Sequence, residues 1–202
     1  TFHKNLKPLR PDDPDIAQLR RACEIRLKLI EERTAKINEL HAMLQLFYPA
    51  VVHLFGHIDS NITLEFIKEF STQKSMMALT ARKLMSWLTK HQYRRMNRFE
   101  QMRDILKKSF LAVPDYLQIA NSTLIKYLAE SILTLNNEII KCDCLVQEKF
   151  EQIPESALIK SLPGGDGKVL GPSLLACLGR NGERFDNIHE ARALMGTAPV
   201  TK

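Results

Sequence analysis

Two long stretches of helically spaced apolar residues constrain the fold of this chain more than any other feature. The first begins at Asp13-Pro14-Asp15. There an aspartate can cap a helix, proline suits the first helical position, and an acid suits the positive helix end. The pattern predicts one helix of about 35 residues that ends or kinks near Pro49. Its apolar positions are Ile16, Leu19, Cys23, Leu27, Ile30, Ile37, Leu40, Leu44 and Phe47.

The second stretch runs from about Asp115 to about Gln152, between Pro114 and Pro154. Its predicted inward positions are Leu117, Ala120, Leu124, Leu128, Ser131, Leu135, Ile139, Cys142 and Val146. A helix of this length is longer than a small domain is wide, so it needs a partner along its whole length. The two helices can pair antiparallel within one chain or with copies in a second chain, and the sequence leaves both pairings open.

The segment between the long helices, about 50–112, has the pattern of a lobe of shorter helices. Thr80 can cap one of them, and the inward face of that helix would be Leu84, Trp87 and Leu88. No segment of the chain has a convincing strand pattern. We therefore expect an all-α protein, with a long antiparallel coiled-coil helix pair, a small helical lobe and a C-terminal segment that resembles a helix-hairpin-helix.

Positive charge is concentrated in one part of the lobe. The chain has a formal net charge of +6, and the segment from Arg82 to Lys108 has nine basic residues against two acids. Apolar residues recur every three or four positions from Tyr93 onward, which predicts a helix with the arginines on its outer face. A local basic excess indicates a polyanion such as nucleic acid, with Arg94, Arg95 and Arg98 as candidate contacts. The alternative is an ordinary solvated helix face.

A glycine-rich turn at Pro163 to Lys168 follows the second long helix. Helices joined by a Pro-Gly-x-Gly turn are typical of the helix-hairpin-helix, in which turn amides contact a DNA phosphate. We therefore predict nucleic-acid contacts at Gly165, Gly167 and Lys168. The turn is one residue longer than is usual, and Asp166 would repel a phosphate unless it points away. A plain helix-helix turn is the alternative.

Metal ligands, secretion signals and membrane spans are not indicated. Cys142 and Cys144 lie two positions apart on a predicted helix, so they point to different faces. His53 and His57 have turn-like residues beside them, and reduced thiols are the expectation for a cytoplasmic protein. No apolar run reaches the roughly eighteen residues that a spanning helix requires.

Several motifs together resemble the DEDD-type insertion-sequence transposases, a RuvC-like bacterial family related to the Piv DNA invertase. In the C-terminal part these are Leu162-Pro163-Gly164, Leu174-Leu175-Ala176 with Leu178-Gly179, Arg184-Phe185, and Ala191 through Pro199. Upstream, Leu19-Arg20-Arg21 through Arg26, Arg33-Thr34 and the leucine spacing after Asn38 are similar to the opening of the family's central coiled coil. In order of elements the resemblance covers most of the chain.

The resemblance implies a longer parent protein. In the family, an N-terminal domain carries four acids that hold metal ions, here expected to be Mg²⁺, and a nucleophilic serine follows the C-terminal motif. The family's acids cannot be assigned to residues of this chain, because Asp12, Asp13 and Asp15 belong to the helix start. The nucleophilic serine cannot be assigned to a residue of this chain either. We therefore expect this chain alone to be inactive on DNA.

The same resemblance implies a domain plan. Residues 1–12 would be a linker from a missing N-terminal domain, and residues 13–153 would be the coiled coil with its inserted lobe. Residues 154–202 would begin a truncated C-terminal transposase domain.

The implied function is that of a fragment of a transposase for DNA transposition and site-specific DNA recombination, serving dimerisation and nucleic-acid binding. The implied partners are DNA, a second copy through the coiled coil and, as in some members of the family, a guide RNA. The expected location is the bacterial cytoplasm. The rival reading is a non-enzymatic helical DNA-binding or scaffold protein that reuses a hairpin motif.

Overall fold

The computed structural model describes residues 13–108, 113–180, 185 and 187–194. Within these ranges all regular secondary structure is helical, which confirms the predicted all-α fold. The helices in chain order are α1 (Pro14–Phe47), α2 (Pro49–Leu54), α3 (Asn61–Glu69), α4 (Gln73–Met77), α5 (Ala81–Lys90), α6 (Phe99–Lys107), α7 (Asp115–Gln152), α8 (Ser156–Lys160), α9 (Leu170–Leu178) and α10 (Ile188–Leu194). The predicted linker, Arg184 and residues 195–199 of the C-terminal motif lie outside the described residues.

Helix α1 begins and ends where the sequence predicts. The Asp13 side chain accepts a hydrogen bond of 2.9 Å from the amide of Asp15. The carbonyl of Asp13 accepts another, also of 2.9 Å, from the amide of Ala17. These bonds satisfy donors that a helix start leaves unpaired. At the other end Pro49 has no N–H to continue the hydrogen-bond ladder, and it starts α2 instead.

Helix α7 has the predicted limits, but the first three positions of its predicted inward stripe are wrong. Leu117, Ala120 and Leu124 are exposed to solvent. The buried positions of the first half of α7 are Gln118, Ile125, Leu128, Ala129 and Ile132. Two neighbouring faces of α7, one that starts at Leu117 and one that starts at Gln118, both carry apolar residues at helical spacing. The local sequence therefore does not determine which of the two faces is buried. In the second half Leu135, Ile139, Cys142 and Val146 are buried as predicted.

By its contacts the chain divides into two compact units. Unit 1 consists of Thr1–Lys28 and Ile139–Lys202, and unit 2 consists of Leu29–Glu138. Each unit therefore contains one part of α1 and one part of α7. The predicted lobe falls within unit 2, as helices α2 to α6. The division into modules of a longer parent stays a prediction.

Unit 2 is built around one apolar core. The second part of α1, the first part of α7 and the short helices of the lobe all contribute buried side chains to it. Its largest fully buried members include Tyr48, Phe66, Leu54 and Met76. Burial without a hydrogen-bond partner raises the pKa of Tyr48 well above its usual value, so this phenol stays protonated.

The two long helices run antiparallel in unit 2. Arg33 donates a hydrogen bond of 3.4 Å to the Asn136 side chain, and the Lys36 ammonium lies 5.3 Å from the centre of the Tyr127 ring. Higher numbers on α1 therefore meet lower numbers on α7. This pairing within the chain confirms the antiparallel helix pair.

In unit 1 the first part of α1 packs against the end of α7 together with α8 and α9. The buried residues here include Ile16, Leu19, Ala22, Ile139, Cys142, Val146, Phe150, Ile153, Ile159, Leu175 and Ala176. Arg20 donates two hydrogen bonds, of 3.1 and 2.9 Å, to the carbonyl of Ala176 near the end of α9. A cation at this position stabilises the negative end of a helix.

A charged pair interrupts the apolar contact between α1 and α7 in unit 1. Arg26 forms an ion pair with Asp143, and its side chain is only 18% exposed. Leu27, which the apolar pattern predicts to face inward, is instead exposed. Arg26 is seven residues from both Leu19 and Arg33, so it continues the row that faces the partner helix.

Candidate nucleic-acid interface

The basic stretch of unit 2 is not one continuous helix. Helix α5 ends at Lys90, a turn follows, and a short 3₁₀ helix at Met96–Arg98 leads into α6. Gln92 has a positive φ of 54°, which breaks the helical path. The helix predicted from Tyr93 onward is therefore right for Phe99–Lys107 and wrong for residues 93–95. Arg94 and Arg95 lie on the turn, and Arg98 lies at the start of α6.

The three candidate arginines have no acidic partner among the residues that the structure describes. Arg94 and Arg95 are exposed and Arg98 is partly buried. By contrast, Arg103 on α6 forms an ion pair of 2.5 Å with Glu100 one turn earlier. A guanidinium group without a neighbouring carboxylate has no counter-charge within the protein and can pair with an anionic ligand. Phosphate is an anion that guanidinium groups bind well.

Two of these arginines lie at a pocket of about 200 Å³ on the surface of unit 2. Its lining residues are Phe55, Gly56, His57, Ser60, Ile62, Tyr93, Arg95 and Arg98. Arg94 is not among them. The pocket joins the connection between α2 and α3 to the turn after α5, and these two segments are distant in sequence. No sequence pattern links them, so sequence analysis did not find the pocket.

The aromatic wall of the pocket is anchored in the core. Phe55 is 3% exposed, and its ring contacts the Tyr93 ring edge-on, with 6.2 Å between centroids and 87° between planes. The amide of Tyr93 donates a hydrogen bond of 2.9 Å to the carbonyl of Leu88 at the end of α5. The backbone hydrogen bond and the ring contact together hold Tyr93 in place. Edge-to-face packing is a favourable arrangement of two aromatic rings.

Gly56 provides the space that Arg98 occupies. A Cβ atom at position 56 would lie 2.8 Å from Nη1 of Arg98. The guanidinium therefore rests against the backbone of the α2–α3 turn rather than extending freely into solvent. Close by, the carbonyl of His57 accepts hydrogen bonds from Ser60 at 3.0 Å and from Thr63 at 2.7 Å. These bonds fix the shape of the turn that forms the pocket rim.

The glycine turn of unit 1 connects α8 and α9, as the sequence predicts. Gly164 has a φ of +77°, a conformation that glycine adopts at little cost. A Cβ atom at Gly165 would lie only 1.8 Å from the carbonyl oxygen of Ile159, and one at Gly171 would lie 2.1 Å from that of Gly165. The glycines are therefore required by a sharp turn and by close backbone packing.

The amides of the two predicted contact glycines are already used inside the turn. Gly165 donates a hydrogen bond of 2.9 Å to the carbonyl of Leu162, and Gly167 donates one of 3.1 Å to that of Gly164. Neither amide is free to bind a phosphate in this conformation. Lys168 is exposed and has no acidic partner in the described part of the chain, so it is the remaining predicted contact at this turn.

The acids at the start of α1 do not fit a metal site. Arg180 contacts Asp13 at 2.9 Å, Asp15 at 3.4 Å and Glu155 at 3.5 Å. One guanidinium therefore balances these carboxylates, and Asp13 also caps the helix. Among the described residues no group of three or more His, Cys, Asp and Glu side chains is arranged to hold a metal. The Mg²⁺ that the family implies finds no ligand set in these ranges.

The neighbouring cysteines of α7 face different surroundings. Cys142 is buried and contacts the carbonyl oxygen of Ala22 at 3.5 Å, whereas Cys144 is exposed. Burial raises the pKa of the Cys142 thiol, and the neighbouring Asp143 carboxylate raises it further. Burial also raises the pKa of Cys23 on α1. Burial therefore favours the protonated form of both thiols.

Comparison with known proteins finds relatives among insertion-sequence proteins. The family model described as "Transposase", that of DEDD-type transposases of the IS110 group, matches residues 2–49. Over 98% of the chain, the sequence is 23% identical to the "Insertion element IS900 uncharacterized 42 kDa protein" of Mycobacterium paratuberculosis. Over 97% of the chain, it is 26% identical to the "Mini-circle putative transposase for IS117" of Streptomyces coelicolor. No solved structure matches.

These matches confirm the resemblance that the sequence motifs indicate. The chain is related to the DEDD-type insertion-sequence transposases. It spans about half the length of the curated relatives it matches, since 49% of each relative is covered. The closer comparison with the Piv invertase stays a prediction. No helix in the described ranges is long and apolar enough to cross a membrane.

Proposed function

We propose that this chain is the nucleic-acid-binding and self-associating part of a transposase, within a parent that carries out DNA transposition and site-specific recombination. The observation that carries the proposal is the placement of Arg95 and Arg98. They lie together at one surface pocket without acidic partners in the described residues, in a chain related to transposases. The parent's Mg²⁺ would be held outside the ranges described here.

The charge distribution supports nucleic acid as the ligand. The segment from Arg82 to Lys108 has a balance of +7, while the rest of the chain together is close to neutral. Phosphate contacts supply affinity that depends on salt and little on sequence. We therefore propose weak binding with low sequence preference, to DNA and also to RNA, the class of guide that some members of the family use.

Binding is tested by fluorescence anisotropy with labelled duplex DNA, single-stranded DNA and RNA over a salt series. With four or five engaged cations, log K should fall with a slope of about −4 against log salt for duplex DNA. Affinity should therefore drop steeply between about 50 and 200 mM salt. Lack of binding to all three probes at the lowest salt would refute the proposal. Binding that is insensitive to salt would also count against it.

Self-association is the second part of the proposal, and an apolar face of α7 in unit 2 supports it. Tyr116, Ile119 and Tyr127 are exposed by 71%, 67% and 56%. Their spacing places them on one side of the helix. Exposed apolar side chains that share a face are typical of protein contacts. We propose that the same face of a second copy covers them.

Light scattering after size-exclusion chromatography tests this contact. The chain should form dimers or larger oligomers at micromolar concentration, and Ile119→Glu should shift it towards monomer because a charge would be buried in the contact. The control is Leu46→Glu, at an equally exposed leucine of α1. A strict monomer at all concentrations, or equal effects of both substitutions, would contradict the proposal.

A further inference from the structure

We propose that the pocket between Phe55, Tyr93 and Arg98 binds one unpaired nucleotide, with its base against the aromatic wall and its phosphate on Arg95 and Arg98. This inference rests on the proposed nucleic-acid function and adds to it. A basic surface alone accounts for contacts along a phosphate backbone. The pocket adds a place for a base that has left the stack.

The chemistry of the walls favours a base over a second phosphate. Tyr93 and Ile62 give the pocket its accessible apolar side, and the buried ring of Phe55 supports Tyr93 from behind. Such a side would not contribute to phosphate binding, but it packs well against the face of a nucleobase. Bases that are unpaired or flipped out of a helix stack on aromatic rings and on guanidinium planes. At about 200 Å³ the pocket has room for one base.

The charged side of the pocket is suited to the phosphate of the same nucleotide. Arg95 and Arg98 are three residues apart, and the amide of Arg98 donates a hydrogen bond of 3.0 Å to the carbonyl of Arg95. That bond closes the 3₁₀ turn and keeps both residues at the same rim. Two guanidinium groups on one turn can contact the oxygens of one phosphate.

The pocket is preformed rather than assembled from mobile side chains. Phe55 is part of the core of unit 2 and contacts the Tyr93 ring edge-on. The absence of a side chain at Gly56 lets the Arg98 guanidinium approach the backbone closely. A site whose groups are held in place loses less conformational entropy on binding, so even a shallow pocket can contribute to affinity.

The site should bind with little preference between bases. The Ser60 hydroxyl lies 3.0 Å from the carbonyl of His57 and 2.7 Å from the Thr63 hydroxyl, so its hydrogen-bonding capacity is largely used within the protein. Stacking is tolerant of sequence because every base has an aromatic face. Base identity is read mainly by hydrogen bonds to base edges. We therefore expect binding that depends on the presence of a base more than on its type.

The test compares strands that have bases with strands that lack them. Anisotropy is measured with fluorescein-labelled oligothymidine, oligouridine, and a strand of equal length whose sugars are all abasic. The protein should bind oligothymidine more tightly than the abasic strand. Tyr93→Leu should lower oligothymidine affinity about tenfold and leave the abasic strand unaffected, because it removes stacking without removing charge. Tyr93→Phe keeps the ring and should bind as the parent does.

A matched pair of charge variants separates the pocket from the rest of the basic stretch. Replacing Arg95 and Arg98 by alanine should weaken oligothymidine binding and reduce the advantage of oligothymidine over the abasic strand. Replacing Arg82 and Lys83 by alanine removes the same charge from exposed positions of α5. That change should weaken both strands equally and preserve the advantage. Thermal melting by circular dichroism establishes that each variant is folded.

The outcomes distinguish this inference from the proposed function beneath it. If the parent binds all strands equally and Tyr93→Leu changes nothing, the pocket inference is wrong and the nucleic-acid function stands. If no strand binds, both are wrong. If Tyr93→Leu unfolds the protein, Tyr93→Phe and the two double alanine variants decide the comparison. The inference is then overturned if the Arg95 and Arg98 variant and the Arg82 and Lys83 variant each weaken the binding of both strands equally. Tighter binding of oligouridine would assign the pocket to RNA, tighter binding of oligothymidine would assign it to DNA, and equal binding of both above the abasic strand would support a pocket that accepts either.

Discussion

The glycine turn in unit 1 and the arginine pocket in unit 2 both carry sequence signals of phosphate binding, but they use their polar groups differently. In the turn, the amides of Gly165 and Gly167 bond to carbonyls of the same turn. At the pocket, the guanidinium groups of Arg95 and Arg98 have no acidic partner in the described residues. A ligand at the turn would have to compete with existing bonds, whereas a ligand at the pocket would not.

This difference separates two reasons for a glycine. At Gly165 the neighbour of the missing side chain is the rigid backbone of Ile159, at 1.8 Å. At Gly56 the neighbour is the flexible end of the Arg98 side chain, at 2.8 Å. The first glycine is required for the fold of unit 1. The second gives room to a residue that is proposed to bind a ligand.

The largest expected effect is on the stability of the turn. Gly165→Ala should destabilise unit 1 by about 3 kcal/mol, because the added Cβ clashes with backbone that cannot move alone. Chemical denaturation followed by circular dichroism measures the change. Gly167→Ala is the control and should cost much less, since its Cβ would lie 3.1 Å from the nearest carbonyl oxygen. Equal stability of the two variants would show that the turn is not packed as described.

The second-largest expected effect is on the affinity for nucleic acid when the arginines at and beside the pocket are replaced. Replacing Arg94, Arg95 and Arg98 together by alanine should lower affinity for duplex DNA and reduce the salt slope by about two to three units. Arg103→Ala is the matched control and should change the slope by less than one unit, because Arg103 already pairs with Glu100. Anisotropy over a salt series measures both. An unchanged slope in the triple variant would mean that the basic stretch is only a solvated face.

A smaller effect on the salt slope of nucleic-acid binding is expected for a substitution at the glycine turn, measured by the same anisotropy assay. Lys168→Ala should reduce the salt slope by about one unit at most, since it removes one charge and leaves the occupied amides unchanged. A loss larger than that of the triple arginine variant would reverse the comparison. The glycine turn would then be the main contact, which requires its amides to exchange their internal bonds for a phosphate.

The smallest effect is expected for Gly56→Ala. Its φ is not positive and the nearest atom belongs to a flexible side chain, so stability should change by no more than about 0.5 kcal/mol. Thermal and chemical unfolding measure this value beside that of Gly165→Ala. A loss as large as that of Gly165→Ala would indicate that the pocket glycine also supports the fold.

The sequence alone determined the helices that organise this protein. Asp13, Pro14 and Pro49 define the limits of α1, and Pro114 and Pro154 bracket α7, because capping and the missing proline N–H act within a few residues. The absence of strand patterns predicted the all-α fold. Motifs at Leu162-Pro163-Gly164 and along α1 were enough to indicate the transposase family.

Only the tertiary structure decided which faces and groups are available. Leu117 and Ile125 belong to two equally apolar rows of α7, and packing against the lobe selects the row of Ile125 for burial. The occupied amides of the glycine turn and the meeting of Phe55, Tyr93 and Arg98 depend on contacts between segments far apart in the chain. Helix limits follow from local backbone chemistry, whereas burial, free hydrogen-bonding capacity and pockets follow from the packing of distant segments, which no local pattern encodes.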